Sequence, residues 1–138
     1  MADSDFALTV ATPERMLVDE RASEATIPAL KGYIGVLPGH APLLSELSSG
    51  ALTWQSEGHT KTLVVMGGFV EVLGDRVRVL ADAARRKEEI DSAAAGQRLE
   101  QAQQALAKPP MDNPTPEDWD ALLDTVKKAQ AEVDTAAK

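Results

Sequence analysis

The chain has 138 residues, 43% apolar and 4% aromatic, with no cysteine and a formal net charge of −8. That length fits one domain of ordinary size, or a small domain with an appendage. Disulfides and thiolate metal sites are excluded, and neither half of the chain is basic, so the electrostatic footprint of a nucleic-acid or anionic-lipid binder is missing.

The opening Met1-Ala2-Asp3-Ser4-Asp5 is acidic and polar, unlike a secretory signal. Residues 6–81 read as strands and turns. Candidate strands at 6–12, 15–18 and 23–28 come first. Residues 35–44, Gly-Val-Leu-Pro-Gly-His-Ala-Pro-Leu-Leu, follow as a rigid irregular loop, because prolines and glycines at that spacing forbid a helix or central strand. Residues 51–56 and 60–66 then flank the turn Glu57-Gly58-His59. The second of these holds the longest apolar run, Leu63-Val64-Val65-Met66, far too short to span a bilayer. Gly67-Gly68 reads as a bulge or tight corner. Residues 69–73 lead through the two-residue turn Gly74-Asp75 into Arg76-Val77-Arg78-Val79, whose alternation puts both valines on one face and both arginines in water. Short strands at regular spacing predict an antiparallel sandwich.

From about Ala84 the period changes. Residues 85–108 lack proline and are rich in strong helix formers. Pro109-Pro110 must end that helix. After the connector 109–114, Thr115 can cap a second helix, with Pro116 at its first position and Asp118 completing a capping-box variant. This helix runs over roughly 116–136. The fold class is therefore α+β in two parts: an antiparallel β-sandwich over 1–84, then an antiparallel two-helix hairpin over 85–138. Within the hairpin, Trp119, Leu122, Leu123, Val126, Val133 and Ala137 share one stripe of the second helix. Ala95, Leu99, Ala102 and Leu106 form a narrower one on the first, with Ile90 directed away, toward the sandwich. Burying a Leu or Val is worth about 1.5–3 kcal/mol and alanine much less, so the interface is predicted to be thin. Two arrangements of such an element can both be populated.

Chemistry of its own is not visible. The only histidines are His40 and His59, too few and too isolated for a zinc site or a catalytic triad. His59 reads as a solvated turn residue. Gly32, Gly35 and Gly39 form no dinucleotide fingerprint, and no phosphate-cradling loop of the Walker type occurs. Glu88-Glu89 reads as a solvated helix face. For His40 two readings stand side by side: an imidazole bonded to nearby backbone, or a partner contact. Apolar groups on an irregular exposed loop point to interaction.

Several segments together resemble one known family in order and spacing. They are Leu8-Thr9-Val10 with Thr12-Pro13-Glu14, residues 35–44, Ser49-Gly50-Ala51-Leu52, Gly67-Gly68-Phe69-Val70-Glu71-Val72, Val77-Arg78-Val79-Leu80-Ala81-Asp82 with Ala84, and Ile90-Asp91. The chain thereby resembles the epsilon subunit of bacterial F-type ATP synthases, homologous to the mitochondrial delta subunit. That resemblance implies a ten-stranded sandwich and a helical hairpin. It also implies a non-catalytic rotor subunit, peripheral on the cytoplasmic face of the bacterial inner membrane. The sandwich would grip the gamma subunit and rest on the c-ring, with Lys31, Tyr33 and His40 as contacts. The hairpin would restrain ATP hydrolysis by extending toward the alpha and beta subunits, with Lys127 and Lys128 as candidate contacts there.

Some members of that family bind a regulatory ATP through Ile/Leu-Asp-x-x-Arg-Ala. Here the run is Ile90-Asp91-Ser92-Ala93-Ala94-Ala95, with Ala94 where the motif has arginine, and the second helix has lysines but no arginine. Without guanidinium forks bidentate phosphate recognition is lost, so weak or no ATP binding is expected and no cofactor is assigned. The alternative to a rotor subunit is a β-sandwich interaction adaptor with a dimerising helical tail.

Overall fold

The computed structural model describes residues 4–138, so Met1, Ala2 and Asp3 of the acidic opening lie outside the described residues. Eight strands are followed by two helices: β1 (Phe6–Ala11), β2 (Met16–Ala22), β3 (Glu24–Ala29), β4 (Gly32–Val36), β5 (Leu43–Glu46), β6 (Gly50–Ser56), β7 (His59–Leu73), β8 (Arg76–Arg86), α1 (Ser92–Ala107) and α2 (Pro116–Ala136). The order is β2-β1-β8-β7-β6-β3-β4, with β5 also on β7. Pairing is antiparallel except for β1 against β8.

One strand explains how a single sheet becomes two layers. The first half of β7 pairs with β6, and its second half pairs with β5. At the changeover Gly67 and Gly68 take φ values of +75° and +120°, a region that side chains disfavour. The parity of burial flips there. Leu63 and Val65 face the core before the glycines, Val70 and Val72 after them. In β8 the same flip separates Val77, Val79 and Ala81 from Ala84. Both halves of each strand thus fill one core, which they share with Phe6, Leu8, Ile27 and Leu52. Gly67-Gly68 is a corner rather than a bulge, since the β7–β8 register runs through it without a slip. The ten strands implied by the resemblance become eight because β7 and β8 pass this corner unbroken.

The predicted turns form where expected. Leu73 pairs with Arg76 around Gly74-Asp75, and Ser56 pairs with His59 around Glu57-Gly58. Trp54 is buried in the core, and its Nε1 donates to the Glu20 carboxylate at 2.9 Å. Burial pushes the Glu20 carboxyl up, but the bonds from Trp54 and Lys61 outweigh that and hold it below its ordinary range.

The first helix begins later than its composition predicts. Arg85 and Arg86 belong to β8, opposite Val64 and Leu63 of β7. A ladder already formed with β7 overrides helix propensity at those two positions. A short 3-10 turn over Lys87–Glu89 follows, and the Asp91 side chain caps α1 by accepting from the Ala94 amide at 3.1 Å. The second helix starts as read from the sequence. Thr115 and Asp118 exchange capping bonds of 3.1 and 2.9 Å, with Pro116 at the first position. Of the two helices, α2 lies on β6 and β7, and α1 packs on α2.

A Cβ placed on Gly68 would sit 2.1 Å from the Leu80 carbonyl oxygen, which is backbone and cannot yield cheaply. Gly68→Ala should therefore cost about 3 kcal/mol or more. Urea unfolding would read this as a lower midpoint at unchanged slope, and an unaltered midpoint would refute the corner's role.

Candidate interaction surfaces

At one end of the sandwich the turn between β3 and β4 presents Leu30 and Lys31 to solvent. Together with Tyr33, Leu44 and Glu46 these residues line a shallow depression of ≈ 500 Å³. Leu30, Tyr33, Leu37 and Leu44 are each more than half exposed. Tyr33 is nonetheless held in place: its hydroxyl accepts from the Ala51 amide at 3.3 Å, and its ring crosses Gly50, where a Cβ would meet the hydroxyl at 2.5 Å. His40 does not join the depression. It sits in the irregular loop, with its Nδ1 donating to the Ala41 carbonyl at 2.7 Å and its amide to Leu37 at 3.1 Å. Lys31 and Tyr33 are therefore neighbours across one hollow, and His40 stands apart from them.

A second apolar surface was not singled out from sequence. Met16 pairs with Ala11, Ala11 with Leu80, and Leu80 with Phe69, so these residues form one rung across β2, β1, β8 and β7. Directly paired residues share a face, and Met16, Leu80 and Phe69 are more than half exposed. The signal was present. Leu80 and Phe69 take the outward positions that Arg78 and Glu71 occupy one alternation away, and an apolar residue on a solvent face needs its own reason.

The helical hairpin closes on small residues. Ala95 and Ala102 of α1 and Ala129 of α2 are buried. Leu99, Leu106, Leu122, Val126 and Val133 are only partly covered, and Trp119 and Leu123 are 40% and 44% exposed. Against the sandwich, Ala131 and Ile90 cover Val64 and Met66. That contact explains the unbroken apolar run of β7: Leu63 and Val65 enter the core while Val64 and Met66 lie under α2. Lys128 pairs with Asp124 one helical turn away at 2.9 Å. Lys127 is exposed beside the cleft between α2 and the sandwich.

Two charge clusters tie the parts together. At the hinge, Glu89 accepts from both terminal nitrogens of Arg15 at 3.0 and 2.8 Å and from the Arg86 amide at 2.9 Å. Deeper in, Glu132 of α2 accepts from Arg85 of β8 at 2.8 Å and from Arg98 of α1 at 3.2 and 3.3 Å. Neither Arg85, Arg98 nor Glu132 was singled out from sequence, since a carboxylate mid-helix ordinarily faces water.

The Arg15 guanidinium, helped by the Arg86 amide, lowers the Glu89 carboxyl from its ordinary 4.5 to about 2. The folded value lies below the unfolded one, so what this contact adds is complete above pH 4.5 and vanishes only as pH falls through 2. A side-chain NMR titration should place the Glu89 midpoint near 2, and Arg15→Gln should move it up toward the ordinary value. A midpoint indifferent to that substitution would remove Arg15 as the cause.

Residues 5–87 match the family described as ATP synthase, Delta/Epsilon chain, beta-sandwich domain. The chain is 49% identical over 131 residues to the ATP synthase epsilon chain of Solibacter usitatus, covering 95% of both. To that of Koribacter versatilis it is 46% identical over 106 residues, covering 77% of this chain and 74% of the relative. Among solved structures, a chain of the Euglena gracilis mitochondrial ATP synthase (OSCP/F1/c-ring) superposes with a TM-score of 0.75 at 27% identity, over 93% of this chain and 81% of that one. A chain from the central stalk and c-ring of the Tetrahymena thermophila mitochondrial enzyme shares the fold, with a TM-score of 0.67 at 14% identity over 95% and 96%. Sandwich topology, the order of the motifs and likeness over nearly the whole length agree: the chain belongs to the delta/epsilon chain family of ATP synthase subunits.

Proposed function

We propose that this chain is the non-catalytic epsilon-type subunit of the central stalk of a proton-translocating F-type ATP synthase. The observation that carries the reading is the 95% mutual coverage with an epsilon chain at 49% identity, which takes in head and helices alike. In this reading the head joins the gamma subunit to the c-ring, peripheral on the cytoplasmic face of the inner membrane. The apolar rung Met16–Ala11–Leu80–Phe69 supplies a flat, strand-borne surface suited to gamma. The hollow around Lys31 and Tyr33, with His40 on the adjoining loop, faces the c-ring. Support comes from exposed leucines on rigid backbone, since apolar groups held in water by a well-packed scaffold are characteristic of interfaces.

The hairpin restrains ATP hydrolysis. Its seam with the head is small, and the alanines that close it contribute little, so leaving the head costs less than unfolding it. When extended, it reaches the alpha and beta subunits, with Lys127 and Lys128 meeting acidic groups there. Removing residues 87–138, just beyond the end of β8, should leave co-purification with gamma intact and raise the ATPase rate of the assembled enzyme. A truncated head that folds yet fails to bind gamma would sink the docking half of this reading. An unchanged rate would sink the regulatory half.

Regulatory ATP is not part of the proposal. Ala94 offers a methyl group where a phosphate would need a guanidinium, and its amide is already taken by Asp91. Arg98, one turn further along α1, is engaged by Glu132, as is Arg85 of β8. Calorimetric titration of the isolated subunit with ATP should give no saturable heat below about 1 mM, a range of at least about 4 kcal/mol of binding free energy. Saturation at micromolar ATP would overturn that expectation.

A further inference from the structure

Among the described residues, Glu132 is the one charged side chain in the buried class, its carboxylate side chain 6% exposed. Both cations that reach it are about half in water, with side chains 46% and 43% exposed for Arg85 and Arg98. They come from different bodies. Arg85 is on β8 of the head and Arg98 is on α1 of the hairpin.

We infer that Glu132 is the shared carboxylate of a two-part clasp, in which Arg85 is the release contact and Arg98 keeps the hairpin paired after release. The inference rests on the regulatory reading above and adds the mechanism of its control. A carboxylate withdrawn from water is costly unless a cation stays with it. If α1 and α2 leave the head together, Glu132 loses Arg85 but carries Arg98 with it, and it regains water on the vacated side. Opening therefore breaks one charge-assisted bond and never strands a bare charge. The hairpin can leave as a unit without first coming apart. Because both guanidinium groups face solvent, the head-side bond is also weakened by salt.

The absence of cysteine from the sequence allows the full chain to carry a single introduced pair for distance measurement by fluorescence. His59→Cys with Asp120→Cys reports head against hairpin, and Gln103→Cys with Asp120→Cys reports α1 against α2. Arg85→Gln should raise the open-to-closed ratio roughly tenfold, the scale of one bond to a charged group, while the α1–α2 distance stays put. Arg85→Lys should restore most of the closure. Arg98→Gln should instead broaden the α1–α2 distance. An Arg85→Gln chain that remains closed, or an Arg98→Gln chain that opens equally with its helices still paired, would overturn the clasp. Should Arg85→Gln impair folding of the head, a salt series on the unaltered pair-labelled chain decides. The open fraction rises with ionic strength if the clasp is ionic, and a flat response refutes it. Hydrolysis by the assembled enzyme is read separately: opening without any change in rate would leave the clasp standing and remove the regulatory reading.

Discussion

At Gly67 and Gly68 the backbone of β7 takes a path that side chains disfavour, and at Gly68 the Leu80 backbone leaves no room for a Cβ; the rest of the molecule depends on that bend. A straight strand of fifteen residues would present one face along its whole length. With the parity flip, Leu63 and Val65 on one side of the corner and Val70 and Val72 on the other point into the same interior. The sheet folds over its own apolar face, and β8 follows because it is paired with β7 on both sides of the corner. The flip has a second result. Val64 and Met66 turn outward just before the corner and leave a small apolar strip on which α2 lies.

Two kinds of cohesion follow from this geometry. The head is held by a continuous core drawn from most of its strands, where each fully buried Val or Leu contributes about 1.5–3 kcal/mol. The hairpin rests on two outward residues, a few alanines and two arginine–carboxylate clusters. The Arg15–Glu89 pair is open to water and screened by salt, and Glu132, the carboxylate withdrawn from water, is held by cations half in solvent, so the docking of the hairpin is weak beside the stability of the head. Weakness here is bounded by covalent tethering. A hairpin joined through a short turn at 87–89 stays close to the head even when released, so modest contacts suffice to bring it back.

The outer surface of the head shows the complementary arrangement. Its strands hold apolar side chains in water at defined positions, and polar bonds fix the backbone that carries them. Tyr33 is the clearest case, its hydroxyl tied to the Ala51 amide while most of its ring stays exposed over Gly50. The imidazole of His40 is bonded to the neighbouring carbonyl of Ala41, which stiffens the loop that Pro38 and Pro42 already restrict. A surface prepared in this way loses little conformational freedom when a partner covers it.

Much of the fold was legible because it is local. Alternation placed Val77 and Val79 inward, Gly74-Asp75 turned the chain, and Thr115-Pro116 with Asp118 started α2 where the motif predicted. Each depends on residues a few positions apart, so the chain itself carries the instruction. Contacts between distant residues were not legible. Composition alone put Arg85 and Arg86 in a helix, but pairing with Leu63 and Val64 of β7 made them strand. The run Leu63-Val64-Val65-Met66 read only as too short to span a bilayer, and in the fold it serves two layers. Trp119 headed the apolar stripe of α2, yet it is 40% exposed, while the small residues Ala95, Ala102 and Ala129 are buried. The meeting of Arg85, Arg98 and Glu132 depends on three elements converging, and no spacing along the chain announces it. What the sequence by itself determined was the kind and order of the elements, through periodicity and turn chemistry. Which faces met, and which charges were drawn out of water, only the tertiary structure decided, because those are energies of juxtaposition that exist once the chain has folded.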